Sequence, residues 1–115
     1  MKNISQEELN KILRDHKLWL KGEGGKRADL RYADLRYANL RCANLSNANL
    51  EYANLEYADL IYADLRYANL NHTNLRCADL RYANLNHTNL MHADLEYVKT
   101  NIYTIGYNLA CTEKW

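Results

Sequence analysis

Leucine recurs at every fifth position from Leu30 to Leu95, fourteen times in succession without interruption. A five-residue period fits neither an α-helix nor a flat strand, because successive leucines would move around a helix in steps of about 140° and would alternate between the faces of a strand. The chain must therefore turn once per repeat. If each five-residue segment forms one side of a closed coil, every leucine returns to the interior and stacked coils share one apolar column.

The sequence thus predicts an interior column built from every repeat leucine. Its members are Leu30, Leu35, Leu40, Leu45, Leu50, Leu55, Leu60, Leu65, Leu70, Leu75, Leu80, Leu85, Leu90 and Leu95. Leu60 should lie in the middle of this column. The residue after each leucine should point outward, so we expect Ile61→Ala to cost much less stability than Leu60→Ala.

Each leucine follows Asp or Asn, which in most repeats follows Ala, as in ADLRY at 28–32 and ADLEY at 93–97. These repeats resemble the A(D/N)LXX motif of the pentapeptide-repeat family over 70 of the 115 residues. The resemblance implies a β-solenoid, a right-handed quadrilateral β-helix with four pentapeptides per coil and with Leu and Ala pointing inward. It also implies a largely non-enzymatic protein, and one branch of the family modulates type II topoisomerases by imitating duplex DNA.

The residues alone leave the number of sides open. The longest internal duplication has a period of 15 residues, beginning at Arg66 and again at Arg81, and a three-sided coil would place these two arginines one above the other. The family resemblance implies four sides. Four sides would align a column of alternating charge consisting of Arg36, Glu56, Arg76 and Glu96.

Residues 1–27 precede the repeats and predict one helix. Ser5 and Glu8 form a capping box, and a glycine-rich stretch ends the helix. Its apolar stripe consists of Leu9, Ile12, Leu13, His16, Trp19 and Leu20. Because solenoid ends expose unpaired backbone groups and apolar side chains, we expect this helix to cap the first coil, with His16 packed and hydrogen-bonded.

The repeat solenoid should occupy residues 28–97, after which residues 98–115 leave the pattern. Val98 and Thr100 stand in the places of Ala and Leu, and the following residues are apolar and irregular. The segment either folds over the last coil as a cap or leaves that end free for a second copy. In resembling family members the C-terminal end often forms a twofold interface, so the resemblance implies a homodimer through this end.

The second residue after leucine is tyrosine in eight of the fourteen repeats, where many family members carry small residues such as glycine. Four-sided stacking would pair these tyrosines one coil apart: Tyr32 with Tyr52, Tyr37 with Tyr57, and Tyr62 with Tyr82. Rings at this spacing can stack with an offset. We interpret these stacked tyrosines either as an adhesive surface for a partner or as side chains that stabilise a thin solenoid from outside.

Three histidines, His72, His87 and His92, occupy the same outward position, and His72 and His92 should stack. Paired imidazoles can bind Zn²⁺ or Ni²⁺, but no third ligand is fixed beside them, so we predict neither a metal nor another cofactor. The scattered cysteines are expected to be free thiols. The sequence contains no recognisable nucleophile–base pair or phosphate loop, and we predict no enzymatic activity.

No segment of the chain is strongly basic or strongly acidic. Residues 1–27 contain seven basic and four acidic residues, a net charge of +3. Residues 28–97 contain six basic and nine acidic residues, a net charge of −3, and residues 98–115 contain two basic and one acidic residue, a net charge of +1. This mixture argues against direct nucleic-acid binding and against DNA mimicry, because both need a surface with a high density of charge of one sign.

The N-terminus has no apolar core typical of a signal peptide, and no run approaches the ~18 apolar residues of a membrane span, so we expect a cytoplasmic protein without a membrane segment. The predicted function is a non-catalytic structural or protein-interaction module whose protein partner is unknown. The alternative is a topoisomerase (DNA gyrase) modulator acting by DNA mimicry.

Overall fold

The computed structural model describes residues 1–104. It contains a short strand β1 (Lys2–Asn3), a helix α1 (Gln6–Leu20) and a second short strand β2 (Ala33–Asp34). β1 and β2 pair in parallel, with Lys2 opposite Ala33. From residue 28 the chain forms the stacked coils of a β-solenoid. No helix within residues 1–104 is long and apolar enough to cross a membrane.

The backbone ladder sets the coil at twenty residues. Isolated parallel bridges join the residue before each leucine to the residue twenty positions later, from Asp29 with Asn49 to Asp79 with Lys99. The N–H of Leu30, for example, donates to the carbonyl of Asn49 at 2.7 Å. Twenty residues are four pentapeptides, so the solenoid has four sides, and the fifteen-residue register of a three-sided coil is excluded. We number the sides by the first coil: Leu30 lies on side 1, Leu35 on side 2, Leu40 on side 3 and Leu45 on side 4.

A tight turn follows each leucine. The first residue of the next repeat donates its N–H back to the leucine carbonyl, as from Ala33 to Leu30 at 3.1 Å. The Asp or Asn before the leucine accepts the N–H two residues on, as Asn54 Oδ1 does from Glu56 at 3.0 Å. Short polar side chains are suited to this turn, which explains why the repeat uses Asp or Asn there. Because so much of each side is turn, only one residue per side forms a bridge.

Leucine and alanine fill the interior. Thirteen of the fourteen repeat leucines are at most 2% exposed, whereas Leu90, in the last coil of the described residues, is only partly buried. Thr73 takes the place of an alanine at 1% exposure. Its hydroxyl donates to the carbonyl of Leu70 at 2.8 Å, so the buried polar group is satisfied.

Ile61 occupies an outward position of its repeat, but its side chain is only 8% exposed. The twenty-residue register places Arg41 one coil before it and Arg81 one coil after it. Long arginine stems cover neighbouring apolar surface while their charged heads stay in water. We therefore attribute the burial of Ile61 to its stacked arginine neighbours.

Helix α1 begins where the capping box predicts. Ser5 is the N-cap, and its hydroxyl accepts the N–H of Glu8 at 3.1 Å. Leu9 is fully buried and belongs to the same apolar cluster as the repeat leucines. Trp19 departs from the predicted apolar stripe, because it is 40% exposed and its ring stacks on that of His16, with 5.6 Å between centroids.

Residues 1–27 contact the N-terminal edge of the first coil on three sides. On side 2, β1 pairs with β2. On side 3, the carboxamide of Gln6 imitates a neighbouring peptide group: Oε1 accepts the N–H of Asn39 at 3.0 Å and Nε2 donates to its carbonyl at 3.1 Å. On side 4, His16 Nε2 lies 2.8 Å from the carbonyl of Ser46.

The end of the described chain carries a degenerate side. Val98 packs against the core and Lys99 bridges Asp79, but Thr100 is exposed in the place of a leucine. The hydroxyl of Thr88 donates to the carbonyl of Leu65, 23 residues earlier. The hydroxyl of Thr104 makes the same kind of bond to the carbonyl of Leu80, which is 24 residues earlier, so the last coil contains one inserted residue. The remainder of the predicted C-terminal segment, residues 105–115, lies outside the described residues.

Candidate functional site

The second residue after each leucine adopts a left-handed conformation. All fourteen such residues, from Tyr32 to Tyr97, have φ between 58° and 64° and none is glycine. This region costs a residue with a Cβ roughly 1–2 kcal/mol relative to the right-handed regions. The chain therefore carries large side chains at the positions where glycine would fit with least strain.

The twenty-residue register arranges these side chains into four columns parallel to the solenoid axis, which we call the ring columns. Column 1 consists of Tyr32, Tyr52, His72 and His92; column 2 of Tyr37, Tyr57, Cys77 and Tyr97; column 3 of Cys42, Tyr62, Tyr82 and Tyr103; and column 4 of Asn47, Tyr67 and His87.

Column 1 is a continuous stack of four rings. Its centroids are separated by 5.1 Å between Tyr32 and Tyr52, 4.6 Å between Tyr52 and His72, and 4.8 Å between His72 and His92. The interplanar angles are 2°, 1° and 21° in the same order. Parallel rings at these distances gain about 0.5–1.5 kcal/mol per pair beyond their burial, which offsets strain in the left-handed backbone.

The other columns contain shorter stacks. Tyr37 and Tyr57 lie 5.1 Å apart, and Tyr62 and Tyr82 lie 4.6 Å apart, so the tyrosine pairs named from the sequence do face each other. Tyr103 extends column 3, at 5.3 Å from Tyr82. The sequence reasoning missed the mixed Tyr–His stacks of columns 1 and 4, although a search for any ring twenty residues after a tyrosine would have found them.

The rings are accessible. The column tyrosines are between 38% exposed, at Tyr82, and 73% exposed, at Tyr37 and Tyr97. Stacking covers one flat face of a ring at the end of a stack and both flat faces of an inner ring such as Tyr52 or Tyr82, while the edges and the phenol groups remain open. Aromatic surface is therefore open to solvent along each column.

Stacking also determines what the histidines can do. Metal coordination requires the lone pairs of its ligands to converge on one point. The rings of His72 and His92 are nearly parallel, so their nitrogen lone pairs point side by side and do not converge. Within residues 1–104 no group of three or more His, Cys, Asp or Glu side chains could hold a metal ion. Cys42 and Cys77 are free thiols, and a hydrogen bond with Cys77 raises the pKa of Tyr57.

Charges beside the columns are largely paired within single repeats. Where Asp precedes the leucine and Arg follows it, the two form a bidentate pair, as Asp34 and Arg36 do at 2.9 and 2.7 Å. Hydrogen bonds from the arginine lower the pKa of Asp29 and of Asp34 to about 2 each. Such neighbouring opposite charges cancel at a distance, so these repeats present no field of one sign.

Where Asn replaces Asp, the arginine reaches another coil. Arg41 follows Asn39 and pairs with Asp59 at 3.0 Å, and Arg76 follows Asn74 and pairs with Glu96 at 2.5 Å. Arg76 also lies 3.9 Å from Glu56. The column of alternating charge predicted from the sequence is therefore continuous only from Glu56 through Arg76 to Glu96. Arg36 does not take part, because it pairs with Asp34 of its own repeat.

Removing one ring of column 1 should separate stacking from backbone strain. Tyr52→Ala loses both stacking partners and keeps the left-handed strain, whereas Tyr52→Gly loses the partners and relieves the strain. The glycine variant should be more stable than the alanine variant by about 1–2 kcal/mol in denaturant titrations. Two variants of equal stability would contradict the strain assigned to this position.

Comparison with known proteins agrees with the repeat geometry. The family model described as pentapeptide repeats matches residues 28–61 and 58–96 with eight copies, which together span more than half of the chain. No curated protein matches.

Among solved structures, HetL, a pentapeptide repeat protein involved in heterocyst differentiation regulation in the cyanobacterium Nostoc sp. strain PCC 7120, is 30% identical, with 72% of this chain and 44% of HetL covered and a TM-score of 0.35. A second Nostoc PCC 7120 pentapeptide repeat protein is 30% identical, with 84% and 88% covered and a TM-score of 0.35.

The plasmid-mediated fluoroquinolone resistance protein QnrB1 is 24% identical, with 69% of this chain and 48% of QnrB1 covered and a TM-score of 0.36. The chain spans about half the length of HetL and of QnrB1. TM-scores this low give no basis for transferring a partner or an activity. The matched repeats, together with the four-sided coil register, establish that this chain belongs to the pentapeptide-repeat family and forms a right-handed β-helix solenoid.

Proposed function

We propose that the chain is a non-catalytic protein-interaction module of the cytoplasm, which binds a protein partner through its ring columns. The observation that carries the proposal is column 1, four stacked and accessible rings on one edge of the solenoid. Aromatic side chains are enriched at protein interfaces because they provide a large contact area with few rotatable bonds. Stacking fixes these rings in advance, so a partner would immobilise them at little further cost in entropy.

The ring columns favour a partner that is neutral or mixed in charge. The Asp–Arg pairs cancel locally, so long-range steering is weak, and affinity has to come from short-range contact with ring edges and phenol groups. A surface of this type fits an extended protein segment lying parallel to the solenoid axis.

The experiment is a comparison of retained proteins. Immobilised wild-type chain and a Tyr32→Ser/Tyr52→Ser variant are exposed to native-host extract, and bound proteins are quantified by mass spectrometry. Met91→Ser, on the same side but outside the columns, is the control. We expect the tyrosine variant to lose at least tenfold of a protein that wild type and control retain, with circular dichroism unchanged. Equal retention by all three would contradict the proposal.

DNA mimicry remains the alternative function. It requires a continuous acidic surface, and the paired arginines beside Asp29, Asp34, Asp64 and Asp79 argue against one. We therefore expect DNA gyrase supercoiling to be unaffected by the protein. Inhibition or protection of gyrase by the wild type would favour the alternative.

We further propose that residues 1–27 cap the solenoid. The support lies in the contacts of β1, Gln6 and His16 with three sides of the first coil, which cover backbone groups that an open end would expose. The fully buried Leu9 adds apolar cover to the same end. An edge closed in this way is protected from pairing with another chain.

The opposite end is proposed as the site of a homodimer. If the N-terminal edge is closed, end-to-end association is left to the C-terminal end, where residues 105–115 are largely apolar in sequence. Light scattering should give twice the mass of one chain for the full-length protein, and a chain lacking residues 102–115 should be monomeric or aggregate. A full-length monomer at high concentration, or a dimer that survives the truncation, would contradict the proposal.

A further inference from the structure

We propose that His16 is an acid-sensitive latch, which holds helix α1 on the end of the first coil and releases it when the imidazole gains a proton. This inference rests on the capping role proposed above for residues 1–27. His16 lies outside the ring columns.

The imidazole joins three parts of the chain. His16 is fully buried at 0% exposure. Its Nδ1 accepts the N–H of Ala28, the first residue of the first coil, at 2.9 Å. Its Nε2 lies 2.8 Å from the carbonyl of Ser46, on the fourth side of the same coil. One side chain of α1 therefore holds both the beginning and the last side of the first coil.

These two contacts fix the protonation state of the closed form. An N–H donor at Ala28 requires an unprotonated Nδ1, and a carbonyl acceptor at Ser46 requires a proton on Nε2. The ring is therefore the neutral tautomer with hydrogen on Nε2. A second proton would occupy Nδ1 and oppose the N–H of Ala28, leaving two donors face to face in a buried position.

The surroundings contain nothing that would favour the cation strongly. Arg27, on the segment that joins α1 to the first coil, donates to the carbonyl of Asn47 at 2.6 Å and adds a positive charge near the ring. Trp19 stacks on the ring from α1, and the facing residues of the coil, Ser46 and Asn47, are uncharged. No carboxylate in residues 1–104 forms a hydrogen bond with this imidazole.

The pH window follows from these contacts. Burial lowers the pKa of His16 below its ordinary 6.5, the hydrogen bond to Ser46 opposes this change, and Arg27 adds to it. The released form binds a proton at the ordinary pKa and the closed form only at lower pH. The closed form is thus fully favoured above pH 6.5 and loses up to about tenfold in its ratio to the released form for each pH unit below that.

The connection gives the helix freedom to leave. Gly22, Gly24 and Gly25 lie between α1 and the first coil, all at positive φ, where glycine is least restrained. Gln6 and Leu9 hold the other end of the helix. Protonation of His16 should therefore open the C-terminal half of α1 first, together with the N–H of Ala28.

The test compares amide hydrogen exchange at pH 7.5 and pH 5.0 on the full chain, corrected for intrinsic exchange rates. We expect protection of Ala28 and of the C-terminal half of α1 to fall at pH 5.0, by at most about thirtyfold. His16→Asn and His16→Gln carry amides that do not titrate, and their protection should be the same at both pH values. His87→Gln, which removes an exposed histidine, should behave as wild type.

Each result has a defined reading. A wild-type helix that stays protected at pH 5.0, or one that opens equally in the His16 variants, overturns the latch while leaving the cap intact. A helix already unprotected at pH 7.5 overturns the cap and the latch together. If neither variant folds, nitrogen NMR of the wild-type ring decides, because a His16 that gains its second proton while Ala28 stays protected also overturns the latch.

Discussion

Leu60→Ala should destabilise the protein by about 2–5 kcal/mol, because it removes buried methyl groups and leaves a cavity in the middle of the leucine column. Leu60 is 0% exposed, and the register places Leu40 and Leu80 one coil away on either side. Neighbouring coils are held by the backbone ladder and cannot collapse freely into the gap. Denaturant titration measures the loss.

Met91→Ala provides the matched control. Met91 follows Leu90 on side 1 and is 59% exposed, so its truncation should change the free energy of unfolding by no more than about 0.5 kcal/mol. Losses of equal size for the two variants would contradict the division into inward and outward positions.

Gly25→Ala should release helix α1 from the solenoid. A Cβ at Gly25 would lie 2.2 Å from the carbonyl oxygen of Asp15, 2.7 Å from Leu18 Cβ and 2.9 Å from the N of Trp19, and φ is +72°. Backbone strain of roughly 1–2 kcal/mol and overpacking of roughly 1–3 kcal/mol add to an expected cost of about 2–5 kcal/mol for docking the helix. Amide exchange of α1 measures it.

Gly24→Ala separates the two contributions. Gly24 has φ of +86°, but a Cβ there would meet nothing within 4 Å. This variant should lose only the roughly 1–2 kcal/mol of backbone strain. If both variants weaken the helix equally, the close approach of Gly25 to α1 carries no energy of its own.

The period of five residues predicts the solenoid because leucine returns to the interior only when the chain turns once per repeat. The number of sides did not follow from the residues, since a duplication of 15 residues fits a three-sided coil as well. Backbone pairing across twenty residues decides it. The helix at the N-terminus was predictable from Ser5 and its apolar stripe, but the contact of Gln6 with Asn39 was not, because it joins residues that no periodicity relates.

The contacts of surface side chains were less predictable from the sequence, because each long side chain can reach several partners. Arg36 and Arg76 occupy the same position of their repeats, directly after the leucine, yet Arg36 pairs with Asp34 and Arg76 pairs with Glu96. The difference lies in the residue before the leucine, Asp in one repeat and Asn in the other, which the period does not specify. Ile61 likewise becomes buried through its stacked neighbours, a property of the coil register and not of its own repeat.

The twenty-residue register underlies both the fold and the ring columns, and through-hydrogen-bond NMR couplings test it most directly. We expect a coupling from the amide nitrogen of Leu50 to the carbonyl carbon of Asn69, and from that of Tyr52 to that of Asn71, one coil further on. The same measurement covers every side of the solenoid. Couplings from Leu50 to Asp64 and from Tyr52 to Arg66, each five residues before the expected partner, would establish a three-sided coil. The rings would then no longer form these columns, and both the fold and the proposed surface would be wrong.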